Sequence, residues 1–248
     1  MVGTGPGPID LMSQRAIDAI KSAHVVAGYK TYLKLISRLL RSGQQVIGSN
    51  MMQEVERCKK ALKLAHDGKS VALVCGGDPG IYAMAGLVFE LARAANYQVP
   101  IEIIPGISAL NACAALLGAP LMHDFAAISL SDLLTPWELI EKRLRFAAKA
   151  DFVIALYNPA SKRRREHLKR AGAIIMKHRR PETPAGVVTG AFRDEQAITL
   201  TTLLKLVNED QPVTMQSTVI IGNSNTFAWN GHMITPRGYE SKYLFDHD

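Results

Sequence analysis

The sequence predicts an α/β fold with a largely parallel sheet, divided between two lobes. Three observations support this. Short aliphatic runs with little polar alternation suit strands covered on both faces. Stretches of helical period separate them in steady succession. Several of the runs end in turns rich in glycine and proline. Ser13 stands where it can cap a first helix whose inner face carries Ile17 and Ile20. Val25–Ala27 follows as a strand, and Val55, Cys58, Leu62 and Ala65 recur at helical spacing before the strand Val71–Cys75. Ile101–Ile104, Ala126–Leu130 and Phe152–Leu156 read as further strands. Leu139, Leu144 and Ala148 lie on a helix entered through Thr135-Pro136, with proline at its first position. Beyond Lys177–Pro181 the chain becomes more strand-rich. Gln196–Thr199 and Thr218–Ile221 flank a short helix at Thr202–Val207, with turns at Asn230-Gly231 and Pro236-Arg237-Gly238. The lobes are expected to divide near Gly118-Ala119-Pro120, giving 1–118 and 119–248.

Composition narrows the class. Of 248 residues, 48% are hydrophobic and 21% charged, which excludes a disordered or fibrous chain. The net charge of +7 points to an anionic partner and leaves nucleic acid, a membrane surface and a small polycarboxylate open. Cys58, Cys75 and Cys113 are too far apart for a C-x-x-C pair, and an odd, sparse count suits free thiols in a reducing compartment. No apolar run reaches the ~18–20 residues of a membrane helix, and no signal-peptide pattern opens the chain. A soluble, cytoplasmic protein is expected.

Three glycine loops stand at strand ends. Val2-Gly3-Thr4-Gly5-Pro6-Gly7-Pro8 is not a dinucleotide fingerprint, because Pro8 and Asp10 occupy the positions where the third glycine is needed. No Gly-Lys-Ser/Thr follows any glycine run, so a P-loop is excluded as well. Proline at 6 and 8 removes N–H groups that would cradle phosphate. Gly76-Gly77-Asp78-Pro79-Gly80-Ile81-Tyr82 follows the strand Val71–Cys75. Its glycines can let a ligand lie against bare backbone, and Asp78 can accept hydrogen bonds from a hydroxyl or amine. Ile104-Pro105-Gly106-Ile107-Ser108-Ala109 is the third. Each loop alone could be plain turn chemistry; together they describe an open ligand crevice.

Lys162-Arg163-Arg164-Arg165, with Lys142, Arg143, Arg145 and Lys149 before it, is either a solvated charge run or an anion funnel at the mouth of a cleft. Aromatic residues total only 6%, which argues against a stacking platform for single-stranded nucleic acid. The seven histidines form no His-Glu-x-x-His and pair with no cysteine, so no metal site is expected. His123-Asp124 could transfer a proton or be a hydrogen-bonded structural pair. No Gly-x-Ser-x-Gly elbow is present.

Taken together, the three loops and Ser217-Thr218-Val219-Ile220-Ile221-Gly222-Asn223 resemble the tetrapyrrole (corrin and porphyrin) methylases. Gly28–Tyr32, Met51–Arg57, Gly118–Phe125, Ser129–Trp137, Tyr157-Asn158-Pro159 and Met233–Tyr239 resemble the branch that methylates carbon 17 of precorrin-3B during cobalamin synthesis. Ala83–Val88 lacks the Gly-Arg-Gly-Gly-Glu-Glu block of the uroporphyrinogen branch, which counts against that substrate. Ala83 and Ala160 replace the branch's usual glycine and arginine, and only Met1 and Val2 precede Gly3, so a short first strand is expected.

The resemblance implies two α/β lobes with S-adenosylmethionine in the cleft between them, a homodimer, and an anionic tetrapyrrole substrate with no nucleic acid or membrane partner. It implies donor contacts from Pro6, Gly76, Gly77, Asp78, Ile81, Tyr82, Ser108, Ala109, Asn158, Gly190, Ser217 and Thr218. Methylation would be coupled to macrocycle contraction to give precorrin-4, for which Glu54, His123 and Asp124 are the candidate proton-transfer groups. The alternatives are the same step on cobalt-factor III in the anaerobic route, an RNA methyltransferase or RNA-binding protein on a related fold, and a donor-binding regulator without turnover.

Overall fold

The computed structural model describes residues 1–161 and 166–243. The basic run 162–165 lies outside them. The chain divides into two compact units, Met1–Ala109 and Leu110–Asp248.

In the first unit, elements run β1 (Val2–Gly3), α1 (Gln14–Ser22), β2 (Val25–Tyr29), α2 (Lys30–Leu35), β3 (Gln45–Ser49), α3 (Glu54–His66), β4 (Val71–Cys75) and α4 (Ala85–Ala94). The sheet order is β1-β4-β2-β3. All its pairs are parallel, with Gly3 opposite Cys75, Gly28 opposite Val74, and Tyr29 opposite Ser49. The period of two in β4 explains its unbroken apolar run. Ala72 and Val74 pack on one face with Ala16 and Ile20 of α1, while Leu73 and Cys75 pack on the other with Cys58 and Leu62 of α3. Fully burying an Ile20-sized side chain contributes about 1.5–3 kcal/mol, so the double covering explains why this central strand must be apolar throughout. Ser13 caps α1 by accepting the Ala16 N–H at 3.2 Å.

Ile101–Ile104 is not a strand. It bonds in extended form to β1, with the Gly3 N–H donating to Ile104 O at 2.9 Å and the Ile104 N–H to Met1 O at 2.9 Å. Its partner β1 is only two residues long, and a single bridge, Val2 to Ile104, is formed.

The second unit contains α5 (Ala109–Leu117), β5 (Gly118–Ala119), β6 (Phe125–Ser129), α6 (Trp137–Lys149), β7 (Val153–Tyr157), α7 (His167–Met176), β8 (Pro184–Thr189), β9 (Ala197–Thr202), α8 (Leu203–Asn208), β10 (Ser217–Ile221), β11 (Phe227–Trp229) and β12 (His232–Ile234). Its main sheet, β6-β7-β10-β8-β9, is mixed: β6 and β7 are parallel and every other pair is antiparallel. The largely parallel expectation therefore holds for the first unit only. Ile154 and Leu156 face Leu144 of α6 and Ile175 of α7, whereas Val153 and Ala155 face Cys113 and Leu117 of α5. Helix α5 thus belongs with the second core, and the expected division after Gly118 falls at its far end. Pro136 is the N-cap of α6 rather than its first helical residue. A small sheet, β11-β12-β5, completes the unit. Among the described residues no helix is long and apolar enough to cross a membrane.

Candidate active site

The carboxyl ends of β1 and β4 converge with the segment 105–109. Gly5 and Gly77 exchange backbone hydrogen bonds, Gly77 N–H to Gly5 O at 2.8 Å and Gly5 N–H to Gly77 O at 3.2 Å. Both glycines have left-handed backbone, with φ of +64° and +67°. A Cβ on Gly3 would stand 2.6 Å from Gly106 N, and one on Gly106 would stand 2.3 Å from Gly77 O. The Cβ direction of Gly76 is filled by the ring of Tyr32, at 2.5 Å. Three of these glycines are thus required by the packing of the loops and of Tyr32, which corrects the expectation that they expose bare backbone to a ligand.

Asp78 ties the loops together. One carboxylate oxygen accepts the Gly80 N–H at 2.8 Å and the other accepts the Gly106 N–H at 3.1 Å. Each oxygen keeps a lone pair for a ligand donor. Beyond it, Ile81 and Tyr82 are exposed, at 40% and 52%, and Tyr82 has φ +49°. An aromatic residue in the left-handed region costs of order 1–3 kcal/mol, and such strain collects at ligand sites. Ser108 is buried at the start of α5, and Ala109 is the helix's first residue. Gly3–Pro8, Gly76–Tyr82 and Pro105–Ala109 contain one carboxylate and no lysine or arginine. That inventory suits a cationic or neutral ligand and not a phosphate.

In the second unit, register brings four of the expected contacts to one sheet edge. Ser217 opens β10 opposite Thr189, which precedes Gly190. Asn158 follows Tyr157 at the end of β7, itself opposite Ser129 at the end of β6. Asn158 has φ +53° and donates from Nδ2 to Ser129 Oγ at 2.9 Å. Gly190 has φ +58°. The Ser217 hydroxyl bonds Thr189 Oγ1 at 2.5 Å and accepts the Thr214 N–H at 2.8 Å. Thr218 is buried and hydrogen-bonds the Cys113 thiol, whose pKa burial pushes up to about 11. Tyr157 Oη accepts the Leu110 N–H at 2.9 Å.

The expected catalytic residues are not gathered there. His123 and Asp124 precede β6, at the amino edge of the same sheet. Five residues of strand separate that edge from Ser129, about 16 Å at ~3.3 Å per residue. His123 Nδ1 accepts the Asp124 N–H at 2.8 Å. Glu54 opens α3, accepts the Met52 N–H at 3.2 Å and pairs with Arg57 at 3.6 Å. Arg57 is buried, bonds Ser49 Oγ, and donates from Nε to Met84 Sδ at 3.3 Å.

A second imidazole escaped sequence reasoning. His167, the first residue of α7, holds Asp132 Oδ2 through Nε2 at 3.2 Å. Its ring meets Trp137 edge-on at 4.5 Å between centroids. Trp137 donates to Glu141 Oε1 at 2.5 Å and lies under Arg170 at 4.4 Å. Asp132 and His167 are 35 residues apart, so no local motif could pair them.

Residues 1–207 match the tetrapyrrole (corrin/porphyrin) methylases. A cobalt-factor III methyltransferase of Priestia megaterium is 49% identical over 250 residues, covering 99% of this chain and 46% of that protein. The chain therefore spans about half the length of that relative. A probable cobalt-factor III C(17)-methyltransferase of Salmonella typhimurium is also 49% identical, over 96% of this chain and 98% of the relative. A precorrin-3B C(17)-methyltransferase of Sinorhizobium is 40% identical, over 91% and 89%. Among solved structures, the methyltransferase CobJ matches with a TM-score of 0.87 at 37% identity, over 95% of this chain and 98% of that one. The chain belongs to the tetrapyrrole (corrin/porphyrin) methylase family.

Proposed function

We propose that this chain is an S-adenosylmethionine-dependent methyltransferase acting at carbon 17 of a corrin precursor in cobalamin synthesis, with cobalt-factor III as its substrate. The cobalt belongs to that substrate. The observation that carries the donor assignment is the loop cluster around Gly5, Gly77 and Gly106, which offers one carboxylate, apolar cover and no basic side chain. S-adenosylmethionine supplies an electrophilic methyl on a sulfonium. Asp78 accepts from its amine or hydroxyl groups, while Pro6, Ile81 and Tyr82 cover its apolar surface. The backbone at Gly76, Gly77 and Ala109, with the Ser108 hydroxyl, fixes its orientation. Asn158, Gly190, Ser217 and Thr218 are proposed as further donor contacts. Attack by an electron-rich pyrrolic carbon on a sulfonium methyl needs alignment and exclusion of water more than acid–base help.

The two relatives named for cobalt-factor III are each 49% identical, against 40% for the one named for precorrin-3B, which favours the cobalt substrate. Precorrin-3B, giving precorrin-4, is the second reading, supported by the Ser129–Trp137 block. The net charge of +7 suits a polycarboxylate. A homodimer in the cytoplasm, without nucleic acid or membrane partners, is part of the proposal; three buried free thiols suit that compartment. Turnover assays with S-adenosylmethionine and each corrin test it. Methylation of cobalt-factor III supports the first reading, methylation of precorrin-3B alone selects the second, and methylation of RNA alone overturns both.

A further inference from the structure

We infer that His167 is the proton-transfer residue of this enzyme, oriented by Asp132 and Trp137. The inference rests on the corrin-methylase reading above. His167 and Asp132 join the two connections that leave the parallel pair β6 and β7, and in open α/β sheets ligands bind outside the carboxyl ends of such strands. Asp132 lies three residues beyond Ser129, the residue that Asn158 holds at this edge. His167 opens the helix that follows β7. His123, by contrast, sits at the opposite edge of the sheet.

The pair has the geometry of an oriented base. Nε2 faces Asp132 Oδ2 at 3.2 Å, so the carboxylate fixes the tautomer with the proton on Nε2 and leaves Nδ1 to accept one. Trp137 fixes the ring from the side, and is itself held by Glu141 and Arg170. The ring's side chain is 13% exposed, closed to bulk water but not sealed. The charged groups around it are Asp132 facing Nε2, Glu166 beside it in the chain, and Glu141 with Arg170 behind Trp137.

Ring contraction requires a hydroxyl of the macrocycle to lose its proton. The O–H bond breaks with its electron pair left on oxygen, an N–H bond forms at Nδ1, and Asp132 stabilises the imidazolium. The proton then passes to solvent or returns to the product, leaving His167 neutral. Asp132 is a positioning residue in this scheme.

The test uses the full chain in single turnover with S-adenosylmethionine and cobalt-factor III or precorrin-3B. His167→Ala is expected to bind S-adenosylhomocysteine with wild-type affinity, to lose 10²–10⁴-fold in the rate of contracted product, and to regain part of that rate with added imidazole. A rate within threefold of wild type, or a loss that imidazole leaves unchanged, overturns the assignment. If His167→Ala fails to bind S-adenosylhomocysteine, His167→Gln and Asp132→Asn are read instead. Each is expected to lose at least tenfold with donor affinity kept, and full activity in either overturns the inference. No turnover by the wild type on either corrin indicts the substrate reading instead.

Discussion

Gly106 is the most exacting position in the loop cluster. Adding one methyl there places a Cβ 2.3 Å from Gly77 O and 2.9 Å from Gly3 C, all backbone atoms that no rotamer change can move aside. Ordinary contact requires roughly 1 Å more separation, and overpacking of this kind costs about 1–3 kcal/mol. Opening the crossing also strains the Gly106 N–H bond to Asp78 and the Gly5 N–H bond to Gly77 O. A charge-assisted bond of the first kind contributes about 1.5–3 kcal/mol. Gly106→Ala is therefore expected to lose about 3 kcal/mol or more of stability, a fall in Tm of roughly 6–12 °C at 2–4 °C per kcal/mol. A ~1 Å displacement of the donor loops should weaken S-adenosylhomocysteine binding by 10- to 100-fold. Calorimetric titration and thermal unfolding read both quantities. Gly86→Ala, whose added methyl meets nothing within 4 Å in α4, is the control. It is expected to keep donor affinity and to gain up to ~1 kcal/mol. Unchanged Tm and affinity in Gly106→Ala would refute the reasoning that these glycines exist for loop packing.

Four further outcomes are expected. Asp78→Ala strands two backbone N–H groups and should weaken donor binding at least tenfold, read by the same titration. Glu54→Gln should leave turnover within twofold and cost no more than ~1 kcal/mol, because Glu54 is engaged with Met52 and the buried Arg57 rather than with substrate; a hundredfold loss of rate restores it to the catalytic set. Asp151→Ala removes the carboxylate partner of buried Arg179 and should destabilise by about 3 kcal/mol in denaturant melts. Burial raises all three thiols, Cys58 and Cys113 to about 11, so native protein at pH 8 should resist alkylation that denatured protein undergoes at once. Because the folded pKa values exceed the unfolded one, this contribution is fully present below pH ~9 and is lost as pH rises toward 11.

The elements whose identity depends on local pattern were legible. Val71–Cys75 is β4 to the residue because both faces are covered, and Ser13 caps the helix that its position announced. What depends on distant partners was not. Gln45–Ser49 is an edge strand too polar to signal itself, and Pro184–Thr189 lies between two antiparallel neighbours that a proline at its start disguised. Ile101–Ile104 had the composition of a strand but only a two-residue partner. The glycine loops were found by their residues, yet the reason for Gly3, Gly76 and Gly106 was visible only once their neighbours were in place. For the same reason His123-Asp124, adjacent in sequence, drew attention that His167 and Asp132, joined only by the fold, did not.

The most direct test of the methyltransferase assignment is incubation of the full chain with methyl-labelled S-adenosylmethionine and cobalt-factor III, with precorrin-3B in parallel. The account predicts stoichiometric label transfer to carbon 17 of the corrin and formation of S-adenosylhomocysteine. Saturable donor binding with no label transferred to either corrin would contradict it.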